Sequence, residues 1–366
     1  MFLSYKGKKS IEELESEIFQ KLDSISHIGN DYKNGVYLYG DNFLGLLSLL
    51  KNYENKIDLV YIDPPFNTKS IFYYDENKIS TISSAKINVA YCDKMNMYEY
   101  LELIRRRLIL IKKLLSPSGS LYFHIDLKVG HYIKVLLDEV FGFENFVNDI
   151  TRIKSNPKNF NKKSFGNQKD VIYIYSKIPK NNIFNDIKTP FHKSEIEKRF
   201  SKIDIDGRRY TTIPCHAPGE TINGITGKKW KELLPPKGRH WRYIPKELEK
   251  MDEKGLIEWS KNGNPRIKKY ADEHEGARIQ DIWLDFKDPQ NPIYPTEKNI
   301  NMLSMIVKQS SNPDSIIMDC FCGSGAFLEA GILQNRFVIG IDNSSFSLKA
   351  IKNRESLRGI SIVDIF

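Results

Sequence analysis

The chain has 366 residues, 40% of them apolar, with 55 Lys and Arg against 46 Asp and Glu, a formal charge of +9. That length allows one large or two modest domains with a real core, and the basic balance favours an acidic partner such as nucleic acid. Four cysteines, none in a CxxC pair, exclude a zinc ribbon or disulfide scaffold, so reduced thiols in a cytoplasmic protein are expected, with no metal site.

The first residues, MFLSYKGKKS, hold too short an apolar run for a signal peptide, and nothing approaches the roughly 20 apolar residues of a membrane span. Residues 1–35 form a charged extension with a helical pattern. Residues 36–39 read as a short strand ending at Gly40 and Asp41, and an apolar helix follows through Leu50. Residues 56–62 form the next strand, which stops at Asp63, Pro64, Pro65 and Phe66. The polar run 68–95 predicts a long functional loop.

Leu101, Ile104, Leu108, Ile111 and Leu115 recur at helical spacing, and Pro117 and Gly119 should stop that helix. Residues 120–125 read as a strand and 132–141 as a helix. Residues 146–153 and 171–175 are expected to pair as a hairpin. Near the end, residues 315–318 lead into Asp319, Cys320, Phe321, Cys322, Gly323, Ser324 and Gly325, then a helix. Residues 336–341 form a last strand closed by Asp342. Such alternation predicts an α/β fold with a mostly parallel sheet and helices on both faces.

Between 177 and 290 the alternation fails. Residues 226–270 hold 13 Lys and Arg against 6 Asp and Glu, interleaved with Trp230, Trp241, Tyr243, Trp259 and Tyr270. This predicts a separate basic module inserted in the sheet domain.

Two stretches carry chemistry. Two consecutive prolines have a fixed φ and no N–H, so the Asp63–Phe66 turn is a rigid mount for one carboxylate, free carbonyls and an aromatic face. Gly323 and Gly325 clear side chains where a strand meets a helix N-terminus, and Asp342 follows where an acid can accept from ribose hydroxyls. Together these match an adenosine-containing cofactor at a topological switch point. No Gly-Lys-Ser/Thr follows the glycines, which excludes a Walker A loop. Leu328 stands where a dinucleotide fingerprint needs its third glycine, which disfavours NAD. His124 and Asp126 fit alternating faces of a strand end better than a metal pair.

DPPF placed before FCGSG in one α/β chain resembles the S-adenosylmethionine-dependent DNA amino-methyltransferases of the permuted β class. These include the modification subunits of type III restriction systems and stand-alone bacterial enzymes. The likeness runs over about residues 36–364 and includes IDLVYIDPPFNT, GSLYFHID, PPKGRHWR, YPTEKN and RFVIGID.

The resemblance implies a circularly permuted, Rossmann-like sheet of seven strands, in which residues 36–39 form the third and 57–62 the fourth. Residues 120–125, 146–153 and 171–175 would be the fifth to seventh, and 315–318 and 336–341 the first and second. It also implies methyl transfer to the exocyclic N6 of an adenine flipped out of double-stranded DNA. Asp63 and the Pro64 carbonyl would accept the amine hydrogens, with Pro65 fixing the turn and Phe66 stacking on the base. Asp41, Asp319, Phe321, Cys322, Gly323, Gly325, Asp342, Thr296 and Lys298 would surround the cofactor, with Thr296 and Lys298 at its methionine end. A helix N-cap is the other reading of Asp41.

Two departures from the family pattern stand out. Glu297 and Asn299 replace a usual Gln and Pro, and Lys169-Asp170 replaces a His-acidic pair. The expected division is 1–35 extension, 36–180 first methyltransferase part, 181–285 target-recognition insert and 286–366 second part. Arg239, Arg242 and Arg266 are the candidate DNA contacts, with Arg208 and Arg209 as candidate phosphate contacts. A homodimer or a restriction subunit is a candidate partner. N4-cytosine methylation and a non-catalytic DNA-binding subunit remain alternatives.

Overall fold

The computed structural model describes residues 3–65, 71–74, 88–92, 96–157, 163, 165–221, 223–290, 292 and 297–365. It divides into residues 1–186 with 280–366 as one unit, and 187–279 as a second.

The first unit is built on a nine-stranded sheet. Its strands, numbered in chain order, are β1 (Gly35–Tyr39), β2 (Ile57–Ile62), β3 (Leu115–Ile125), β4 (Phe146–Ile153), β5 (Lys169–Ser176), β6 (Ile282–Trp283), β7 (Ile316–Asp319), β8 (Phe337–Asp342) and β9 (Ser361–Asp364). The spatial order is β6-β4-β5-β3-β2-β7-β8-β1-β9. Only β5 runs against the others, pairing antiparallel with β3 and β4. Seven of the nine are the expected strands, and those expected as first and fourth, β7 and β2, are neighbours. The two additions, β6 and β9, sit at the sheet edges. At two and four residues they are too short to stand out by periodicity.

Helices α1 (Ile11–Leu22), α2 (Asn42–Tyr53), α3 (Met97–Leu114), α4 (Leu127–Phe141), α5 (Ile300–Ser310), α6 (Ala326–Ile332) and α7 (Ser345–Asn353) accompany the sheet. A capping box between Ser10 and Glu13 starts α1, which buries Leu14 and Ile18. The large core gathers β1, β2, β3 and β5 with Leu46 and Leu47 of α2, Leu108 and Ile111 of α3, and Ile133 and Leu137 of α4. These strands read as continuous apolar runs because both sheet faces are covered.

Two expectations are corrected here. α3 ends at Leu114, and β3 begins at once with Leu115. Pro117 and Gly119 lie instead in a bulge, since Ile57 pairs with Leu115 while Leu59 pairs with Ser120. The bulge absorbs the proline that a regular ladder would reject. Second, the run expected as a loop at 68–95 contains two paired antiparallel strands, Ile71–Tyr74 and Asn88–Cys92; its other residues lie outside those described.

The second unit starts at 187 and ends at 279, inside the 181–285 expected. It has a four-stranded antiparallel sheet, with Pro265–Tyr270 between Ile257–Trp259 and Arg209–Pro214, and Lys202–Ile203 at the edge. A ribbon pairs His216–Pro218 with Arg239–Trp241. Its core comprises Cys215, Trp230, Trp241, Leu248, Ile257 and Ile267. Trp230 and Trp241 meet edge to face at 6.0 Å, and Trp241 Nε1 donates to the Lys228 carbonyl at 2.9 Å. Those tryptophans and Tyr270 are therefore the packing of a small module, whereas Tyr243 and Trp259 remain over a third exposed.

Candidate active site

The site forms where the central strands end. β7 lies between β2 and β8, with Met318 opposite Val60 on one side and Ile339 on the other. The turn after β2 and the turn after β7 are therefore neighbours, although some 260 residues separate them in sequence. Phe327 of α6, two residues beyond Gly325, stacks on Tyr61 at 5.3 Å and ties the two turns together.

Asp63 follows β2 with its side chain 16% exposed. Lys298 binds its Oδ2, while Oδ1 is buried and accepts no hydrogen bond among the described residues. A buried carboxylate oxygen without a donor carries a cost of a few kcal/mol, which an amine hydrogen would remove. Lys298 was expected at the cofactor's methionine end; the structure pairs it with Asp63. Pro64 is buried and Pro65 exposed. Phe66 and Thr296 lie outside the described residues.

The glycine turn is held by its own backbone. Gly323 and Gly325 have φ of 51° and 74°, the left-handed region that glycine enters without strain. A Cβ on Gly325 would stand 2.3 Å from Ile351 Cδ1. Asp342 Oδ2 accepts from Gly323 N at 2.8 Å and Oδ1 from Ser344 N at 2.8 Å, which locks the acid against the turn and leaves each oxygen a second lone pair. Burial raises the Asp342 carboxyl, although those backbone donors pull it down.

Asp319 closes β7 and accepts from Phe321 N at 2.9 Å. Burial pushes its carboxyl well above the usual range, and the charges of Asp63 and Asp342 add to the effect. Cys320 and Cys322 are free, buried thiols that wall the turn. Three acids thus crowd one crevice, where a cationic ligand would favour their ionised forms.

Asp41 caps α2, accepting from Phe43 N at 2.9 Å and Leu44 N at 3.2 Å, with Arg107 at 3.4 Å from its second oxygen. These are the contacts of a helix cap. Arg239 and Arg242 are exposed on the insert, where Arg239 lies 3.2 Å from His216 Nδ1. Arg266 instead donates to the Thr212 hydroxyl and carbonyl at 2.8 and 2.9 Å. Arg208 is enclosed by Asp206, Asp272 and Glu273 at 2.9 to 3.4 Å, and Arg209 lies 3.4 Å from the Phe200 carbonyl.

Several participants escaped sequence reasoning. Arg354, just after α7, donates to the Ser324 carbonyl at 2.6 Å and binds Glu297 and Glu329, bracing the glycine turn. The departure at Glu297 therefore has a partner. Asn42 Nδ2 donates to the Cys320 carbonyl at 2.8 Å, and its Oδ1 accepts from Arg107 Nε at 2.6 Å. His124, fully buried, lies 2.8 Å from the Tyr61 hydroxyl and 3.4 Å from Asp170 Oδ2. Asp126 caps α4 through Lys128 N, so the two residues have separate roles. The described residues contain no His, Cys, Asp and Glu cluster fit for a metal, and no helix among them is long and apolar enough to cross a membrane.

An α/β sheet with an acid-lined crevice at its switch point defines a nucleotide- or cofactor-binding class of protein. The family model described as DNA methylase, of the N6/N4 methyltransferases, matches residues 57–353, and the chain belongs to that family of DNA methyltransferases. The type II methyltransferase M.EcaI of Enterobacter cloacae is 39% identical over 96% of this chain and 77% of its own. The type II methyltransferase M.KpnI of Klebsiella pneumoniae is 24% identical over 82% of this chain and 77% of its own. The type III StyLTI Mod subunit of Salmonella typhimurium is 22% identical over 90% of this chain, which spans 55% of that subunit.

Proposed function

We propose that this methyltransferase transfers the methyl group of S-adenosylmethionine to the N6 amine of an adenine flipped out of duplex DNA, within a restriction–modification system. The observation that carries the reading is Asp63. It is a carboxylate on a double-proline mount beside the glycine turn, with one buried oxygen lacking a donor among the described residues.

The residues fit the cofactor. Asp342 has spare lone pairs for ribose hydroxyls, Gly323 and Gly325 give the turn its left-handed bend, and the acids Asp319 and Asp342 lie where a positive charge would be balanced. S-adenosylmethionine supplies an electrophilic methyl on a cationic sulfur.

The chain's part is positioning and electrostatics. An aromatic amine is a weak nucleophile because its lone pair is delocalised into the ring. Asp63 Oδ1 and the Pro64 carbonyl accept its two hydrogens and localise that pair on nitrogen. Lys298 on Oδ2 holds the carboxylate in orientation. Asp rather than Ser at the head of the motif favours adenine over cytosine. The insert reads the target, with Arg239 and Arg242 as contacts to bases or phosphates. Arg266 belongs to the same candidate surface, with two of its donors already used within the sheet. A partner restriction subunit is part of the proposal, as the names of the type III relatives support.

Expression in a methylation-free host, followed by base mapping with kinetics-sensitive long-read sequencing, tests the reading. The expected result is N6-methyladenine at one recurring motif, lost in Asp63→Ala while purified protein still binds DNA. N4-methylcytosine would transfer the assignment to the other amine. An unmodified genome from folded protein, or Asp63→Ala acting like wild type, would refute it.

A further inference from the structure

Not every cation of the insert is spent on the insert's own acids. Along the strand Arg209–Pro214, Ile213 packs against the tryptophan core, as do Ile267 and Ile257 on the neighbouring strands. Side chains alternate along a strand, so Thr212, Pro214 and Arg266 share the opposite, outer face.

On that face Arg266 donates through Nε and Nη2 to the Thr212 hydroxyl and carbonyl. Arg242 donates through Nε to the Pro214 carbonyl at 3.0 Å, and its backbone N–H holds the Cys215 carbonyl at 2.8 Å. The ribbon follows at once. His216 pairs with Trp241 and Pro218 with Arg239, which makes His216 and Arg239 diagonal neighbours. Arg239 Nη1 lies 3.2 Å from His216 Nδ1.

Three guanidinium groups and one imidazole therefore gather where sheet meets ribbon. An arginine can only donate, so His216 Nδ1 accepts, and the ring is neutral with its hydrogen on Nε2. Burial and the charges of Arg239, Arg242 and Arg266 favour that neutral form. Among the described residues Nε2 meets no acceptor, and none of the three arginines has a carboxylate within ion-pair distance. Glu258, opposite Arg266, is taken by Lys202 and Tyr210. Arg208, Lys231 and Lys268 of the same insert all hold acids.

Like charges gathered without a counter-charge repel one another, and an anion would join them. Each guanidinium is steadied along one edge and keeps further N–H groups for a ligand. A phosphate fits that donor set, with negative charge and acceptor oxygens that point in several directions. A base edge asks instead for one extended arginine forked on two coplanar acceptors, and Arg242 and Arg266 already spend Nε on the fold.

We propose that His216, Arg239, Arg242 and Arg266 form a clamp for the phosphate backbone of DNA, with His216 Nε2–H as its uncharged donor. The clamp positions the duplex without reading its sequence. It rests on the DNA-methylating reading above, and it assigns to phosphate the arginines that reading divides between bases and phosphates.

Salt titrations of the full-length protein by fluorescence anisotropy test it, on one duplex carrying the motif found by base mapping and one lacking it. In mildly alkaline buffer Arg239→Gln and Arg242→Gln should each weaken binding by the same factor on both duplexes. Each should also flatten the slope of log affinity against log salt by about 0.9, the counterion release of one phosphate contact. His216→Ala should weaken both duplexes equally and keep the slope, because an uncharged donor releases no counterion. Lys231→Gln, whose charge Asp252 already holds, should keep the slope as well.

A loss confined to the motif-bearing duplex makes these base contacts and overturns the clamp. So does unchanged binding in any of the three clamp variants, or a Lys231→Gln slope as flat as theirs. Those outcomes leave the methylating reading standing. Wild-type protein that binds neither duplex overturns that reading, and the clamp with it. Arg266 also ties its own strand to the next, so the exposed Arg239 and Arg242 carry the test.

Discussion

The sheet unit and the insert use charge in different ways. In the sheet unit the charged groups sit at strand ends, buried and engaged: Asp63 with Lys298, Asp342 with two backbone donors, and Asp170 with His124 and Lys154. In the insert the cations lie outside a tryptophan core, and many are already neutralised. Arg208 faces three acids, Lys231 binds Asp252, and Lys268 lies 2.8 Å from Asp204. A net positive count thus overstates the charge available to DNA. Chemistry is placed by register in one unit and by what remains unpaired on a surface in the other.

The sharpest test of that division is the core of the insert. Trp241→Ala should cost about 3–5 kcal/mol, the usual range for truncating a buried tryptophan. The loss should appear as early melting and proteolysis of residues 187–279 and as lost DNA binding. Calorimetric affinity for S-adenosylmethionine should stay near wild type; if it collapses too, the two units do not fold separately.

The next effect falls on the sheet unit. Gly325→Ala puts a Cβ 2.3 Å from Ile351 at a φ of 74°, a strain of about 1–3 kcal/mol. Cofactor affinity should fall roughly 10- to 100-fold, with DNA affinity little changed. Equal losses of both would blur the comparison.

The smallest effect is electrostatic. Burial raises both the Asp319 and Asp342 carboxyls, so they take up protons above the ordinary carboxylate value of about 4. Affinity for the cationic donor should weaken in mild acid as these charges are lost, and binding should release protons, seen as buffer-dependent heats in calorimetry. For stability the sign is reversed: the fold binds these protons more readily than the unfolded chain, so the two acids lower stability as pH rises. Asp319→Asn should therefore raise the melting temperature at neutral pH, and no rise would show that this burial costs little. Asp170 behaves oppositely. Burial raises its carboxyl, but His124 and Lys154 outweigh that and hold it well below the usual range. Its contribution is present at neutral pH and lost only in strong acid.

Much of the sheet unit was legible in the chain itself. The apolar runs at 57–62 and 336–341, the double proline and the glycine pair are local signals, because strand periodicity and backbone restriction act over a few neighbours. The insert was legible as a break in alternation but not in its roles. Nothing local distinguishes Trp241, which packs, from Trp259, which is 38% exposed.

Sequence by itself determined seven strands of the sheet, the two chemical turns and the basic insert, because those follow from residue type and short spacing. Tertiary structure decided which charges meet. Lys298 reaches Asp63 across 235 residues, Arg354 braces Ser324, and His124 stands between Asp63 and Asp170. Partners that sheet register joins over such separations leave no pattern along the chain, since pairing depends on strand order and on which side chain faces which.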